Sequence, residues 1–350
     1  MPSHPWFRRY SPLRLAEVAS VAIESRFNES GEAFTTPYKN MFRRLRDGVE
    51  MSAVKTFDPT GWDLALALSL KGDRTVSVCI PCRNEAQTVG DLIRMIEPTL
   101  VGTLVDELIV LDDDSTDGTD EIAAEAGATV VPVDFVHFFH GAARGKGNAL
   151  WASLLASTGD IVVWIDGDIT SFTTDWIVRL VMPLLIDDEL GLVKANYERP
   201  SHLGGGGRTT ELVARPLLSM YFPEIADLQQ PLAGEFAGRR SMLEAIPFAT
   251  GWGVEIGMLI DMAEKFGIQS LGQVDLGVRL HRHHKLETLA IQAAEVTATL
   301  LLRIPNPPAF AEDVPMLHRK ELGPLQLNIG ERPPVNSLPK MAQLPSSDRK

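Results

Sequence analysis

The chain has 350 residues, of which 45% are hydrophobic and 23% charged, a globular composition that excludes disordered and fibrous classes for most of its length. Lysine plus arginine number 33 against 46 aspartate plus glutamate, and the net charge of −13 has the wrong sign for a protein that holds nucleic acid through its general field. An anionic ligand therefore has to meet a local basic pocket. No apolar run reaches the roughly 18 residues that cross a bilayer, and MPSHPWFRRYSPLRLAEVAS lacks the apolar core of a signal peptide, so no membrane span is expected. The two cysteines, Cys79 and Cys82, make no disulfide framework and point to a reducing, cytoplasmic compartment.

Residues 1–71 mix short amphipathic pieces with turn residues and read as an N-terminal arm or helical extension. From Thr75 the pattern changes. TVSVCIP predicts a strand, Glu85 to Ile96 a helix with Val89, Leu92, Ile93 and Ile96 on one face, ELIVLD a second strand, Asp117 to Ala126 a second helix, and ATVVPV a third strand. After a loop with Arg144, Gly145, Lys146 and Gly147 comes a helix from Asn148 to Ser157, and then IVVWID, apolar enough for a parallel strand buried on both faces. This alternation over 72–200 predicts an α/β fold of Rossmann-like type: a mostly parallel sheet, helices on both faces, ligands at the carboxyl ends of the strands.

The segment 201–303 is less regular and is expected to form a wall opposite the sheet. It holds the run Gly204 to Gly207, the Trp252-Gly253 turn and a cluster of His281, His283 and His284. The tail 304–350 carries nine of the 23 prolines, which cannot continue helices or central strands, so it is expected to wrap the surface or mediate association.

Asp112 to Asp114 follow one predicted strand, and Asp166 and Asp168 another, so several carboxylates converge on one sheet edge. Their repulsion calls for a divalent cation or for donors such as ribose hydroxyls. Capping the next helix is the favoured reading for Asp114 and Asp117, and metal binding for Asp166 and Asp168. In Asp-Gly-Asp the two carboxylates point the same way along extended chain, and the small middle residue leaves room for a diphosphate. Cys79 and Cys82 have CxxC spacing but no second pair, so buried packing is the reading preferred to zinc.

These motifs in this order, with VDELIVLDDDSTDGT, GKGNALW, GDIVVWIDGDI, GGGGRTTELVARPLL, GWGVEIGMLID and LGVRLHRHHKL, carry a resemblance over about Thr75 to Leu286. The chain resembles GT-A fold nucleotide-sugar glycosyltransferases, and more closely the retaining glucosyl-3-phosphoglycerate and mannosyl-3-phosphoglycerate synthase family. The resemblance implies a nucleotide-sugar half at 72–200 and an acceptor half at 201–303. Pro81, Arg83, Glu85 and Asp113 would border the nucleotide, Lys146 its phosphates and Asp166 its ribose. Asp168 and His281 would hold Mg2+ or Mn2+, consistent with a mixed carboxylate and imidazole donor set. Gly207, Arg208, Thr210, Arg279 and His283 would bind 3-phosphoglycerate; alone, a glycine run is more often a linker.

Lys146, Asp168 and Glu255 are the implied catalytic residues, with Glu255 near the sugar hydroxyls. For Trp252, sugar stacking and core packing are equal contenders. The implied reaction moves glucose or mannose from UDP-glucose or GDP-mannose to the 2-hydroxyl of 3-phosphoglycerate with retention, toward a compatible solute or polysaccharide precursor. Asp113 stands where better-known glucosyl enzymes carry serine, which leaves the donor open. Rival readings are an inverting glycosyltransferase on a lipid or polysaccharide, or a sugar nucleotidyltransferase, which would need a glycine-rich loop that PCRNEAQT is not. A homodimer is the expected assembly.

Overall fold

A computed structural model describes residues 54–199, 207–280, 286–305, 307, 315–319 and 322–339. The N-terminal residues 1–53, Gly204 to Gly206, and the cluster of His281, His283 and His284 lie outside the described residues.

The elements that build the sheet are β1 (Lys55–Phe57), α1 (Leu64–Lys71), β2 (Val76–Cys82), α2 (Val89–Leu100), β3 (Glu107–Asp112), α3 (Thr119–Glu125), β4 (Thr129–Pro132), α4 (Lys146–Ala156), β5 (Ile161–Trp164), α5 (Asp175–Ile186) and β6 (Leu192–Glu198). There follow α6 (Arg215–Tyr221), β7 (Phe236–Arg239), β8 (Phe248–Ala249), α7 (Val254–Phe266), β9 (Leu271–Val278) and α8 (Leu286–Leu301), with short strands β10 (Met316–Arg319), β11 (Gly323–Gln326) and β12 (Glu331–Arg332) in the tail. Eight strands form one sheet in the order β1-β9-β6-β7-β5-β2-β3-β4. It is parallel as expected except for β7, which runs antiparallel to both β5 and β6.

Strand periodicity explains the two cores. Along β5 and just past it, Ile161, Val163 and Ile165 face α2 and α5, whereas Val162 and Trp164 face α4 and α7. Cys79 and Cys82 sit three apart on β2, so they join opposite cores as separate buried thiols, and the packing reading holds. The first helix begins at Val89 rather than at Glu85. Asn84 takes a left-handed φ of 59°, and Glu85 to Thr88 form a turn closed by Thr88 N–H donating to the Glu85 carbonyl. Residues 55–71, grouped by composition with the arm, supply an edge strand and a helix of this same body.

The start of α4 is wedged under β8. The Gly147 and Asn148 N–H groups donate to the Gly251 and Thr250 carbonyls, at 3.3 and 3.0 Å. A Cβ at Gly147 would fall 1.7 Å from the Ala249 carbonyl oxygen. In an open helix, Gly→Ala gains about 1 kcal/mol. Here the obstacle is backbone and cannot rotate away, so overpacking of about 1–3 kcal/mol outweighs the gain. Gly147→Ala is therefore expected to lower the melting temperature; a melt at or above that of the parent protein would refute this wedge.

Candidate active site

The carboxyl ends of the parallel strands and the amino end of β7 meet at one sheet edge, and that edge carries the site. Lys146, Asp166, Asp168, Glu255, Gly207, Arg208, Thr210 and Arg279, all anticipated from sequence, line one cavity of about 140 Å3. Trp252 lines it too, 37% exposed, so it is a wall residue and not core. Pro81, Arg83 and Asp113 sit at the neighbouring ends of β2 and β3, where Arg83 Nη1 approaches Asp113 Oδ2 at 3.4 Å. Glu85 follows, beside Gly167. His281 and His283 were assigned a metal and an acceptor, and both lie outside the described residues.

Two cations organise the acids. Lys146 opens α4 and places Nζ 2.8 Å from both Asp166 Oδ1 and Glu255 Oε1. Arg279, just past β9, directs Nε to Glu235 Oε1 at 2.9 Å and Nη2 to Asp166 Oδ2 at 3.2 Å, with Asp168 Oδ1 at 3.7 Å. Burial alone would depress the Lys146 ammonium, but Asp166 and Glu255 outweigh it and hold the pKa above its ordinary value. Burial likewise opposes ionisation of Asp166, and Lys146 with Arg279 overcome it, so its pKa falls below the usual carboxylate range.

Sequence reasoning missed Lys194, Tyr197, Arg199, Gly234 and Glu235. Lys194 lies mid-strand in β6, fully enclosed, donating to the Ala233 carbonyl and resting 4.2 Å from the centre of the Phe236 ring. Burial is the main reason its pKa drops to about 8. A lysine set between Val193 and Ala195, just after the apolar Leu192 and Val193, was the available signal. Gly234 has to be glycine: a Cβ there would sit 2.0 Å from Asp166 Oδ2.

The middle glycine of Asp-Gly-Asp also serves packing, because a Cβ at Gly167 would lie 2.8 Å from Cys82 Sγ and 3.4 Å from Glu85 Cγ. One local reading changes. Asp117 does satisfy the turn before α3, accepting from Thr119 N–H and Oγ1–H. Asp114, expected to do the same, instead takes a φ of 65° and faces Arg144 Nη2 at 3.5 Å.

Among the described residues, no group of three or more His, Cys, Asp or Glu converges as a ready-made metal cage. Asp168 nonetheless lines the cavity with Arg279 at 3.7 Å, beyond hydrogen-bond reach, so its oxygens suit a hard or borderline cation whose shell a bound ligand completes.

Residues 77–247 match the family model described as Glycosyl transferase family 2. A glucosyl-3-phosphoglycerate synthase of Mycolicibacterium paratuberculosis is 41% identical, covering 85% of this chain and 94% of that protein. One from Petrotoga mobilis is 40% identical over 81% of this chain and 93% of its own. The crystal structure of glucosyl-3-phosphoglycerate synthase from Mycobacterium tuberculosis with Mn2+, UDP-glucose and phosphoglyceric acid superposes with a TM-score of 0.74 at 41% identity, over 81% of this chain and 98% of that one. The same enzyme has been solved with Mg2+ and UDP, at a TM-score of 0.73.

Lys194 gives the site a signature in stability. The unfolded lysine titrates near 10.5 and the folded one near 8, so between these values the unfolded chain holds the extra proton and stability rises with pH. Below about pH 8 the full cost of the buried charge is present. Denaturant midpoints across pH 7 to 10.5 should climb for the parent protein relative to Lys194→Met, at most about 1.4 kcal/mol per pH unit. Parallel curves for the two proteins would refute the depressed ammonium.

Proposed function

The chain belongs to the glucosyl-3-phosphoglycerate synthases, a family of glycosyltransferases, and from that premise we propose that it transfers glucose from UDP-glucose to the 2-hydroxyl of 3-phosphoglycerate with retention at the anomeric carbon. The observation that carries this reading is the single cavity in which Lys146, Asp166, Asp168 and Glu255 face Gly207, Arg208 and Thr210. The relatives named above are glucosyl enzymes, and the Mycobacterium tuberculosis structures hold uridine nucleotides, which supports UDP-glucose over GDP-mannose.

In this reading Pro81, Arg83, Glu85 and Asp113 border the nucleotide, and the Asp113 carboxylate accepts from uracil N3–H. Asp166 receives a ribose hydroxyl, and Lys146 directs its charge at the diphosphate. Asp168 would hold Mg2+ or Mn2+, with His281 as a second donor; when bound, the cation neutralises charge on the leaving diphosphate. Arg208, Thr210, the Gly207 backbone, Arg279 and His283 take the anionic groups of 3-phosphoglycerate.

The bond from the anomeric carbon to the β-phosphate oxygen breaks. A bond from that carbon to the acceptor 2-oxygen forms on the same face, and the hydroxyl proton passes to the departing phosphate. Glu255 and Asp166 are both held by Lys146 at 2.8 Å, which blunts them as nucleophiles and favours this front-face route over double displacement. Trp252 supplies an apolar wall for the sugar ring. Cytoplasmic location is proposed on the buried free thiols Cys79 and Cys82. Among the described residues no helix is long and apolar enough to cross a membrane.

Purified protein with Mg2+ or Mn2+, UDP-glucose and 3-phosphoglycerate should release UDP and yield an α-linked product by NMR. Absence of UDP release would sink the proposal, and a β-linked product would sink the retaining route. Arg208→Ala should raise the acceptor KM by about 10- to 100-fold, the worth of a charge-assisted hydrogen bond, with the donor KM little changed. Equal effects on both would reject the acceptor assignment.

A further inference from the structure

The proline-rich tail returns to the back of the site. β12 pairs antiparallel with β8, in the register Glu331↔Ala249 and Arg332↔Phe248. This brings Arg332, 5% exposed, against the loop that precedes Lys146. Its Nε donates to Asn148 Oδ1 at 2.8 Å, Nη1 to the His140 carbonyl at 2.5 Å and Nη2 to the Gly141 carbonyl at 2.8 Å. The guanidinium lies 5.0 Å from the centre of the Trp151 ring, and Trp151 Nε1 donates to the Pro333 carbonyl at 2.8 Å.

Asn148 passes the restraint on, since its Nδ2 donates to the Ala143 carbonyl at 3.0 Å. Asn328 takes the next carbonyl: its Nδ2 donates to Arg144 O at 2.6 Å while its Oδ1 accepts from Thr250 Oγ1 at 2.7 Å. Four carbonyls, at His140, Gly141, Ala143 and Arg144, are thus engaged directly before Gly145 and Lys146. The same tail reaches the opposite wall. Glu295 on α8 accepts from Asn328 N–H at 3.1 Å and from Trp252 N–H at 2.8 Å.

We propose that Arg332, assisted by Asn328, is a positioning residue for the transfer reaction, fixing the 140–147 loop so that Lys146 meets Asp166 and Glu255. The loop has little core of its own: Gly141, Ala142 and Arg144 are exposed, and no residue from 140 to 146 is buried. Arg332 gives three of its five donors to neutral oxygens, so burying its charge is spent on geometry at three separate backbone and side-chain points. An ammonium that serves two carboxylates at 2.8 Å and a phosphate as well tolerates little displacement. The inference rests on the reading that Lys146 addresses the donor diphosphate.

Arg332→Lys keeps the charge and loses the fork; Asn328→Ala removes a separate anchor of the same loop. Both are compared with the parent protein by hydrogen exchange of residues 140–148, by calorimetric affinity for UDP with Mg2+, and by steady-state kinetics at a temperature where thermal melts show all three folded. Faster exchange confined to 140–148, UDP affinity and kcat down about tenfold, and an acceptor KM within about twofold are expected. Unchanged exchange in that segment, or donor and acceptor terms falling together, would overturn the proposal. If the parent protein itself transfers no glucose, the proposed function fails. Exchange of 140–148 then decides the clamp alone, supporting it if accelerated in both variants and rejecting it if not.

Discussion

One ammonium group sets the terms for this site. Lys146 Nζ sits 2.8 Å from a carboxylate just past β5 and 2.8 Å from another on α7, so one cation offsets the repulsion between two acids in a partly enclosed cavity. At an effective dielectric near 20 each attraction is on the order of 4 kcal/mol before the cost of desolvating the charges is subtracted. The lysine has to stand where β5 ends and α7 begins, which fixes where α4 starts. That placement in turn forces glycine at position 147 beneath the Ala249 carbonyl. A fold-level feature, the packing of a helix start under β8, is therefore set by the electrostatics of the cavity.

The acidity of the whole chain led us to expect a basic pocket, and the structure modifies that expectation. Four basic residues, Lys146, Arg199, Arg208 and Arg279, line the cavity together with the acids Asp166, Asp168 and Glu255. Behind the wall Glu235 is paired with Arg279 and Lys194 is buried. The result is near neutrality with strong local direction. Cations locked by carboxylates need no reorganisation when a charged substrate arrives, and this preorganisation, more than net potential, makes such a site useful. Burial that weakens the charge on Lys194 fits the same economy, because an entering anion would favour the protonated form.

Legibility in the sequence followed the physics of each element. TVSVCIP, ELIVLD and IVVWID are uninterrupted apolar runs, so β2, β3 and β5 and their carboxyl-end acids stood out. β6 contains Lys194 and Asn196, β7 is four residues including Gly238, and β9 carries Gln273 and Asp275, so none gives a clean period. The antiparallel course of β7 left no local trace either, and with it went Gly234 and Glu235. Motif positions fared better: Lys146, Asp166, Asp168, Arg208, Glu255 and Arg279 do converge. At Gly167 a further pressure comes from Cys82 on the adjacent strand, and no one-dimensional pattern shows that neighbour.

The tail was the least legible part, and its arrangement has a physical logic. Loops at the carboxyl edge of a parallel sheet carry the chemistry but bury little apolar surface, so their backbone carbonyls need partners from elsewhere. Arg332 supplies them across 192 residues to His140 and 191 to Gly141. Loop-closure entropy grows only slowly with length, so a distant donor costs little more than a near one. A distant donor also couples regions that a local one could not. Through Glu295 the same segment holds Trp252 and α8, so the walls on the donor and acceptor sides share one support. Prolines on either side of the contact, Pro324 before it and Pro333 and Pro334 after it, restrict the free chain and reduce what ordering it costs. Composition that reads as mere surface wrapping is, at Asn328 to Arg332, the composition suited to an extended strap presenting side chains at fixed points.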